Sequence, residues 1–338
     1  MESVKTTEAV GLILCHDMTQ IIKDEFKGPR FRKGHVIQEK DIPVLLSMGK
    51  EHVYIWKNDP GMVHENAGAE VLYRLCAGEH MSPSEVKEGK IEVIAEIDGL
   101  LKVNSEKLKA LNALGELMIA TRHGNFSVKR GDKLAGTRII PLAIEKDKLD
   151  CAVALGGGEP ILKLLPFKRK KAAVINTGSE LYAGRIEDAF GPVIKDKLEE
   201  CGVEVMAQEI LPDDEALVSE KISEFIEKGA EMVICTGGMS VDPDDITPNA
   251  IKKTGAEIVS YGAPVLPGAM FLLAYEGEIP IMGLPGCVMY AKRTVFDLVL
   301  PRVVAGDRLV QEDLSSLGEG GLCLNCEVCT YPNCGFGK

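Results

Sequence analysis

The sequence predicts an α/β fold in which a doubly wound, mostly parallel sheet follows an α+β domain and precedes a short Cys-rich tail. Three observations indicate this arrangement. Residues 172–306 alternate short apolar runs with stretches of helical periodicity, whereas residues 1–165 lack that alternation. Four of the ten cysteines lie between residue 323 and the C-terminus. Repeated strand–helix–strand units favour a parallel sheet with helices on both faces.

Apolar runs mark the predicted strands of the second domain, and apolar residues three or four positions apart mark its helices. Proline in a first turn and glycine after a last turn give the helix ends. In order, we predict a strand at residues 172–176, a helix at 191–201, a strand at 203–211, a helix capped by Asp213 and Asp214 and closed by Gly229, a strand at 232–236, a helix from Thr247-Pro248, strands at 257–261 and 279–284, and a long helix at 286–304.

The first half of the sequence has a weaker pattern of apolar residues, so its helices and strands are harder to predict. We predict strands at residues 53–56 and 90–97 and helices at 65–77 and 105–121, joined to the second domain by a hinge at 166–171. The predicted domains are therefore an α+β domain at 1–165, an α/β domain at 166–306 and a Cys-rich metal-binding tail at 307–338.

Composition and charge exclude several classes of protein. The chain has 338 residues, of which 45% are hydrophobic, and a formal net charge of −12. An acidic balance argues against nucleic-acid binding, which needs clustered Lys and Arg. No apolar run approaches the roughly 18–20 residues that span a bilayer, and the first residues lack the apolar core of a signal peptide. We therefore expect a cytoplasmic protein without a nucleic-acid or membrane partner.

Histidine and cysteine positions narrow the chemistry further. All six histidines precede residue 124, so a site in the second domain must use carboxylates, hydroxyls, backbone dipoles, Lys, Arg or a metal. Six cysteines are isolated, and we expect them to be reduced residues of the core. They are Cys15, Cys76, Cys151, Cys201, Cys235 and Cys287.

Three loops at predicted strand ends carry the polar residues of the second domain. They begin at Asn176, at Leu211 and at Thr236. Such loops converge at the carboxyl edge of a doubly wound sheet. The third loop has a Gly-Gly turn and precedes a helix, which suits a phosphate, while its aspartates would repel an anion unless a divalent cation intervenes. The alternative for Asp213 or Asp214 is a helix N-cap alone.

Motifs in these loops resemble those of the molybdopterin-binding domain shared by molybdenum insertases and molybdopterin adenylyltransferases. The insertase-like segments are Thr177-Gly178-Ser179-Glu180-Leu181 with Gly184-Arg185-Ile186, Thr236-Gly237-Gly238-Met239-Ser240-Val241, Pro267-Gly268 and Gly283-Leu284-Pro285-Gly286. Asp245-Ile246-Thr247-Pro248-Asn249-Ala250 resembles the adenylyltransferase element, and Leu211-Pro212-Asp213-Asp214 is similar to a segment of both groups.

The resemblance implies roles for individual residues. The cofactor-binding residues would be Thr177, Gly178, Ser179, Glu180, Thr236, Gly237, Gly238, Ser240, Pro267, Gly268, Pro285 and Gly286. The catalytic residues would be Asp213, Asp245 and Asp188, and Asp242 and Asp244 would serve the magnesium ion. Two departures from the insertase pattern are Cys287, where insertases have asparagine, and the order of aspartates after Val241.

The implied function is molybdenum cofactor biosynthesis: binding of adenylylated molybdopterin, insertion of molybdate with Mg²⁺ and release of AMP. The implied partners are molybdopterin, molybdate, further copies of the same chain and a molybdoenzyme or its maturation factors. The alternative is a non-catalytic molybdopterin carrier or sensor. The choice between molybdenum and tungsten stays open, because the two oxyanions share shape and charge.

Two further segments have functional and structural interpretations. In the first domain His16, Arg32, Lys33 and His35 could contact the pterin phosphate or molybdate, although a purely structural role is the alternative. The tail has the spacing Cys323-x2-Cys326-x2-Cys329-x4-Cys334, which suits zinc or a [4Fe–4S] cluster. Free thiols in a disordered tail are the alternative to a metal site, and an electron-transfer module is a further functional interpretation.

Overall fold

The computed structural model describes residues 2–23, 25–55, 60–240, 242 and 245–338. The chain forms two compact units. The first contains Met1–Glu96, Val103–Arg122 and Gly131–Lys163, and the second contains Ile97–Lys102, His123–Arg130 and Leu164–Lys338. The predicted boundaries differ from this division, because two short segments of the first half and the Cys-rich C-terminal residues belong to the second unit.

Up to residue 166 the described elements alternate irregularly between strand and helix. They include β1 (Glu2–Lys5), β2 (Met18–Ile22), β3 (Phe26–Phe31), α1 (Ile42–Ser47), β4 (His52–Ile55), β5 (Met62–His64), α2 (Glu65–Cys76), β6 (Met81–Pro83), β7 (Lys90–Ala95), β8 (Gly99–Val103), α3 (Ser105–Asn112), β9 (Leu117–Thr121), β10 (Phe126–Val128), β11 (Lys133–Ile139), β12 (Ala143–Glu145), α4 (Lys146–Gly156) and β13 (Leu162–Pro166).

The first unit is an α+β structure, as predicted. Its antiparallel sheet has the order β6-β7-β11-β9, and α2 packs against β7 and β11. The buried face of α2 carries Ala69, Leu72 and Cys76, spaced for one side of a helix. Gly68 permits close packing on the sheet, because a Cβ atom there would lie 2.9 Å from Ile139 Cγ2.

Two predictions for the first half need correction or limitation. The predicted helix at 105–121 is wrong in its second part, where α3 ends at Asn112 and β9 follows. Gly115, with φ +73°, turns the chain, and alternate residues Leu117 and Ile119 are buried, which is the pattern of a strand. In the predicted strand at 53–56, Trp56 lies outside the described residues.

From residue 171 onward strands and helices alternate regularly. The described elements include β14 (Lys171–Thr177), α5 (Ser179–Tyr182), α6 (Phe190–Glu200), β15 (Glu204–Leu211), α7 (Glu215–Glu227), β16 (Met232–Thr236), α8 (Thr247–Lys253), β17 (Glu257–Tyr261), β18 (Leu272–Glu276), β19 (Ile279–Leu284), α9 (Val295–Ala305) and α10 (Gln311–Ser315). Among the described residues, no helix is both long and apolar enough to cross a membrane.

The main sheet of the second unit has the order β15-β14-β16-β19-β18-β17. The pairs β15–β14, β14–β16 and β16–β19 are parallel, whereas β18 and β17 are antiparallel additions. Alternate residues of β14 enter two different cores. Val174 joins the core formed with α6 and α9, and Ile175 joins the core formed with α7 and α8. The predicted doubly wound, mostly parallel sheet is therefore confirmed.

Two elements of this unit differ from the prediction. Strand β18 was not predicted, and it pairs with β19 across a tight connection at Gly277. The predicted helix at 286–304 is wrong in its first part, which is a 3-10 turn at Gly286–Met289. Helix α9 begins later because the Thr294 hydroxyl accepts from Phe296 N at 3.2 Å and the Asp297 carboxylate accepts from Thr294 N at 2.7 Å.

A buried ion network fixes the start of α9. The Asp297 carboxylate accepts from Lys197 Nζ at 2.6 Å and from Arg293 Nη1 at 2.8 Å. The side chains of Lys197 and Asp297 are 8% and 3% exposed. Burial by itself would lower the pKa of Arg293, but hydrogen bonds to Glu200 and Asp297 raise this pKa above its usual range. The network therefore ties α6 to α9.

The isolated cysteines lie mostly inside the two units. Cys15, Cys76, Cys201 and Cys235 are buried and Cys287 is half-buried, but Cys151 is exposed, so the expected core position is wrong for Cys151. Burial raises the pKa of Cys235 to about 12, which keeps its thiol protonated and unreactive. All ten cysteines are free thiols.

The backbone approaches itself closely where β14 and β16 end. Gly237 has φ +83°, and a Cβ atom there would lie 2.1 Å from the carbonyl oxygen of Thr177. Only glycine fits this position, both because of its left-handed backbone and because no space exists for a side chain. Gly255 has a similar φ of +90° but nothing within 4 Å of the Cβ position.

Replacing Gly237 is expected to cost much more stability than replacing Gly255. Gly255→Ala is expected to lower the free energy of unfolding by about 1–2 kcal/mol, because alanine is strained in the left-handed backbone conformation. Gly237→Ala adds a clash with main-chain atoms, which is expected to cost about 1–3 kcal/mol more. Urea unfolding of both variants measures the difference in the free energy of unfolding. Equal losses would contradict the close approach of the two loops.

Loss of Asp297 is expected to destabilise the second unit strongly. Asp297→Ala leaves the ammonium of Lys197 buried without its carboxylate, for a loss of about 3–5 kcal/mol. Glu199→Ala is the matched control, because it removes an exposed ion pair of α6 with Lys195 and is expected to cost less than about 1 kcal/mol. Denaturant unfolding compares the two, and similar losses would refute the importance of the buried network.

Candidate functional site

A cavity of about 750 Å³ lies where β14, β15 and β16 end. Its walls come from the loops after these three strands, together with α5 and the turn after β19, so the predicted convergence of the loops is what the structure shows. The lining residues are Thr177, Gly178, Ser179, Glu180, Leu181, Ile186, Glu187, Asp188, Ala189, Phe190, Asp213, Gly238, Asp245, Ile246 and Met289.

Buried hydroxyl groups join the first and third loops beneath this cavity. Thr177 Oγ1 donates to the Thr236 carbonyl at 3.2 Å and lies 3.3 Å from Thr247 Oγ1. Thr247 Oγ1 in turn donates to the carbonyl of Gly237 at 2.8 Å. All three threonines are buried. Because the hydroxyls satisfy loop carbonyls, they hold the two turns in one fixed arrangement.

Asp213 connects the second loop to the first. Its Oδ2 atom accepts from Ser179 N at 2.7 Å and from Ser179 Oγ at 2.8 Å. Among the described residues, Oδ1 has no hydrogen-bond partner. Asp214 has a different role: its Oδ1 accepts from Ala216 N and Leu217 N, which makes it the N-cap of α7. The N-cap interpretation therefore applies to Asp214, whereas Asp213 lines the cavity.

Asp188 is engaged at both carboxylate oxygens. Oδ1 accepts from Asn176 Nδ2 at 2.7 Å, Phe190 N at 2.9 Å and Gly191 N at 3.0 Å. Oδ2 accepts from Gln208 Nε2 at 2.6 Å. These donors come from β14, β15 and the start of α6, so the carboxylate fixes the position of that helix relative to the sheet edge.

The third loop is closed by a small turn around Asp245. The Asp245 Oδ2 atom accepts from Asp242 N at 3.0 Å, and Asp245 N donates to the Asp242 carbonyl at 3.0 Å. Tyr261 supports the loop from β17, because its hydroxyl donates to Met239 O at 3.1 Å and Ser240 O at 3.2 Å. Burial and the Asp245 carboxylate raise the pKa of Tyr261, which keeps this donor protonated.

The structure brings together only part of the predicted site. Thr177, Gly178, Ser179, Glu180, Gly238 and the three aspartates Asp188, Asp213 and Asp245 line the cavity. Thr236, Gly237, Ser240, Pro285 and Gly286 belong to the adjoining loops but do not line it, and Gly268 packs on Val295. Pro267 lines a different cavity, described below. The carboxylate of Asp242 does not line the cavity, and Asp244 lies outside the described residues.

The cavity is strongly acidic. Of its described lining residues, five are carboxylates and none is Lys or Arg. Two like charges 4 Å apart repel by about 4 kcal/mol at an effective dielectric of 20. An anionic ligand therefore needs a cation beside it here. Over the residues that the structure describes, however, no group of three or more His, Cys, Asp or Glu is arranged to hold a metal ion.

The candidate residues of the first unit fall into two groups. His16, Arg32 and Lys33 line a cavity of about 810 Å³ within that unit, together with Asp17 and Glu65. Burial lowers the pKa of His16, which favours its neutral form. His35 does not line this cavity; its Nε2 atom lies 2.7 Å from Asp41 Oδ2.

Several residues of the site were not predicted. Asn176 and Gln208 hold Asp188, and Tyr261 supports the third loop. Phe190 and Met289 add apolar surface to the cavity. Asn176 is the first residue of the predicted first loop, but its contact with Asp188 was not predicted. The other four carry no local signal, because each acts through a contact with a distant part of the chain.

Two family models match the chain. Residues 173–305 match the model described as "Probable molybdopterin binding domain", and residues 3–57 match "Domain of unknown function (DUF8806)". The first covers the sheet and the candidate cavity, and the second lies within the first unit.

Individual curated relatives align with only part of the chain. A molybdopterin molybdenumtransferase of Synechococcus elongatus is 27% identical over 182 residues, covering 48% of this chain and 43% of that protein. A CinA-like protein of Thermosipho melanesiensis is 38% identical over 91 residues, covering 27% of this chain and 22% of that protein. The chain thus spans less than half the length of these curated relatives.

Among solved structures, the molybdopterin biosynthesis enzyme MoaB of Thermus thermophilus aligns with 18% identity and a TM-score of 0.35, over 42% of this chain and 99% of that one. The sequence matches, rather than this alignment, carry the assignment. Residues 173–305 therefore form a molybdopterin-binding domain that resembles part of the molybdenumtransferases, which confirms the resemblance predicted from the motifs.

Proposed function

We propose that this protein acts in molybdenum cofactor biosynthesis as a molybdenumtransferase-like enzyme. It binds adenylylated molybdopterin in the cavity at the carboxyl edge of the sheet, receives molybdate with Mg²⁺ and releases AMP. The observation that carries the proposal is the cavity itself. The loops after β14, β15 and β16, which hold the motifs shared with the molybdopterin-binding domain, form one pocket with Asp213 and Asp245 on its wall.

The hydrogen bonds of the aspartates distinguish their proposed roles. Asp213 and Asp245 each use Oδ2 to hold a loop, and among the described residues the Oδ1 atom of each has no partner. These two oxygens can act on a ligand without disturbing the loops. Asp188 has donors on both oxygens, so we assign it to positioning α6 instead of to the reaction.

The donor set fits Mg²⁺ when it arrives with a phosphorylated ligand. Magnesium in phosphoryl sites is commonly bound by one or two carboxylates plus the phosphates of the substrate, with water completing its shell. Asp213 and Asp245 would supply those carboxylates. The ion would offset charge on the phosphoanhydride as the bond to AMP breaks. A site of this kind needs no group of three protein ligands.

The remaining walls suit the ring system of the ligand. Phe190, Ile186 and Met289 present apolar surface to the cavity. A planar heterocycle packs favourably on an aromatic ring and thioether.

Asp213→Asn and Asp245→Asn are each expected to slow AMP release by about 10²-fold, the usual size for loss of one positioned electrostatic group. Binding of adenylylated molybdopterin should change much less, because the loops keep their turns. The measurement is AMP release with molybdate and Mg²⁺, alongside calorimetric titration of the ligand.

Asp214→Asn is the matched control for both variants. Asp214 is exposed, caps α7 and does not line the cavity, and asparagine caps helices as well as aspartate does. Its AMP release should equal that of the unmodified protein. If the unmodified protein binds the ligand but never releases AMP, the proposed enzymatic function is refuted. A non-catalytic carrier or sensor is then the function that remains.

Removal of divalent cations is expected to weaken binding of adenylylated molybdopterin by at least about tenfold, or ~1.4 kcal/mol, because uncompensated carboxylates repel the phosphates. Titrations in Mg²⁺ and in EDTA measure the change. Restoring Mg²⁺ should recover the affinity, whereas NaCl at matched ionic strength should not. An affinity unaffected by EDTA would contradict the proposed bridging cation.

A further inference from the structure

The Cys-rich C-terminal segment, residues 321–338, is a folded part of the second unit. Cys323 N donates to Leu266 O at 2.8 Å, Leu266 N donates to Gly321 O at 2.8 Å, and Gly337 N donates to Gly320 O at 2.9 Å. Phe336 is 3% exposed and belongs to the core that also contains α6 and α9. The alternative of a disordered tail therefore does not describe this segment.

Four cysteines of the segment face one space. Cys323, Cys326, Cys329 and Cys334 all line a cavity of about 500 Å³. All four are free thiols; Cys326 and Cys329 are exposed, and Cys323 and Cys334 are half-buried against the core. Leucine and aromatic side chains complete much of the wall. The four thiols therefore border one largely apolar space.

The arrangement of these cysteines favours a metal cluster over a single metal ion. Tetrahedral zinc requires four sulfur atoms about 2.3 Å from a single point. Within the described ranges, no three of these thiols are arranged around a single metal ion, although all four line the same cavity. Cysteines spread over the wall of a cavity suit a cluster, in which each thiolate binds a different iron atom.

Positive charge accompanies the thiols. Lys292 and Arg293 line the same cavity. Lys292 Nζ donates to Glu327 O at 2.7 Å and to Cys326 O at 3.3 Å, so it lies beside the loop that carries two of the cysteines. The Arg293 guanidinium lies 4.9 Å from the centre of the Tyr331 ring. A cluster with four thiolates is an anion, and Lys292 would offset part of its charge, whereas Arg293 is already paired with Asp297 and Glu200.

We propose that Cys323, Cys326, Cys329 and Cys334 bind a [4Fe–4S] cluster in this cavity. Each thiol loses its proton when its sulfur binds iron, and the four cysteines supply one ligand to each of the four iron atoms. This proposal does not rest on the proposed transferase activity, since the four cysteines line a cavity other than the one with Asp213 and Asp245.

The test is metal analysis of the full chain, purified without oxygen and then reconstituted with sulfide and equal amounts of ferrous and ferric iron, which together supply the oxidation state of the cluster before reduction. We expect about four iron and four acid-labile sulfide per chain, a brown absorbance band that bleaches with dithionite, and a paramagnetic resonance signal of the reduced cluster. Cys326→Ala and Cys329→Ala are expected to lose most of the iron and the band. These side chains are exposed, so the variants should keep the fold, which circular dichroism checks.

Cys151→Ala is the matched control, because Cys151 is also an exposed free thiol but lies on α4. It should bind as much iron as the unmodified chain. One zinc ion per chain that iron does not replace would overturn the cluster, as would failure of the unmodified chain to take up iron and sulfide. Equal iron in Cys326→Ala, Cys329→Ala and the control would overturn it as well, by showing that uptake does not depend on these cysteines.

Discussion

The hydroxyl contact between Thr177 and Thr247 is the constraint on which the candidate site depends. The parallel pairing of β14 and β16 brings the two loops to one edge of the sheet, but it does not fix their turns. The two buried threonines do so, because they satisfy the carbonyls of Thr236 and Gly237. Gly237 allows the backbones to come this close. The cavity, the position of Asp245 and the start of α8 all follow from that junction.

The aspartates around this junction illustrate how partners decide the role of a residue. Asp188, Asp213, Asp214 and Asp245 have the same side chain and lie within one edge of the unit. Asp214 caps a helix, and Asp188 joins two strands to a helix with both of its oxygens. Asp213 and Asp245 hold loops with one oxygen each. The carboxylates of Asp213 and Asp245 are thereby placed on the cavity wall.

Periodicity and turn residues were sufficient to predict most of the second unit. The helices α6 and α7 and the strands β14, β15 and β16 lie where apolar spacing, proline and glycine indicate. Prediction failed where a longer-range contact decides the structure. The helix expected from residue 286 starts only at Val295, because the cap formed by Thr294 and Asp297 depends on an ion network with α6. Strand β18 needs β19 as its partner. In the site, the motifs predicted the loops but not Gln208 or Tyr261, whose contacts come from other strands.

The turn after β19 has a consequence for how the two cavities of the second unit can influence each other. Met289 lines the acidic cavity, and the next residue, Tyr290, lines the cavity with the four cysteines. Consecutive Cα atoms are about 3.8 Å apart, so one peptide plane separates the two walls. Thermodynamic linkage is reciprocal. If a ligand in one cavity shifts the conformation of this turn and thereby changes the affinity of the other cavity, a ligand in the other cavity changes the affinity of the first by the same factor. Pterin affinity and the state of the cysteines are thus coupled quantities to the extent that this single peptide moves.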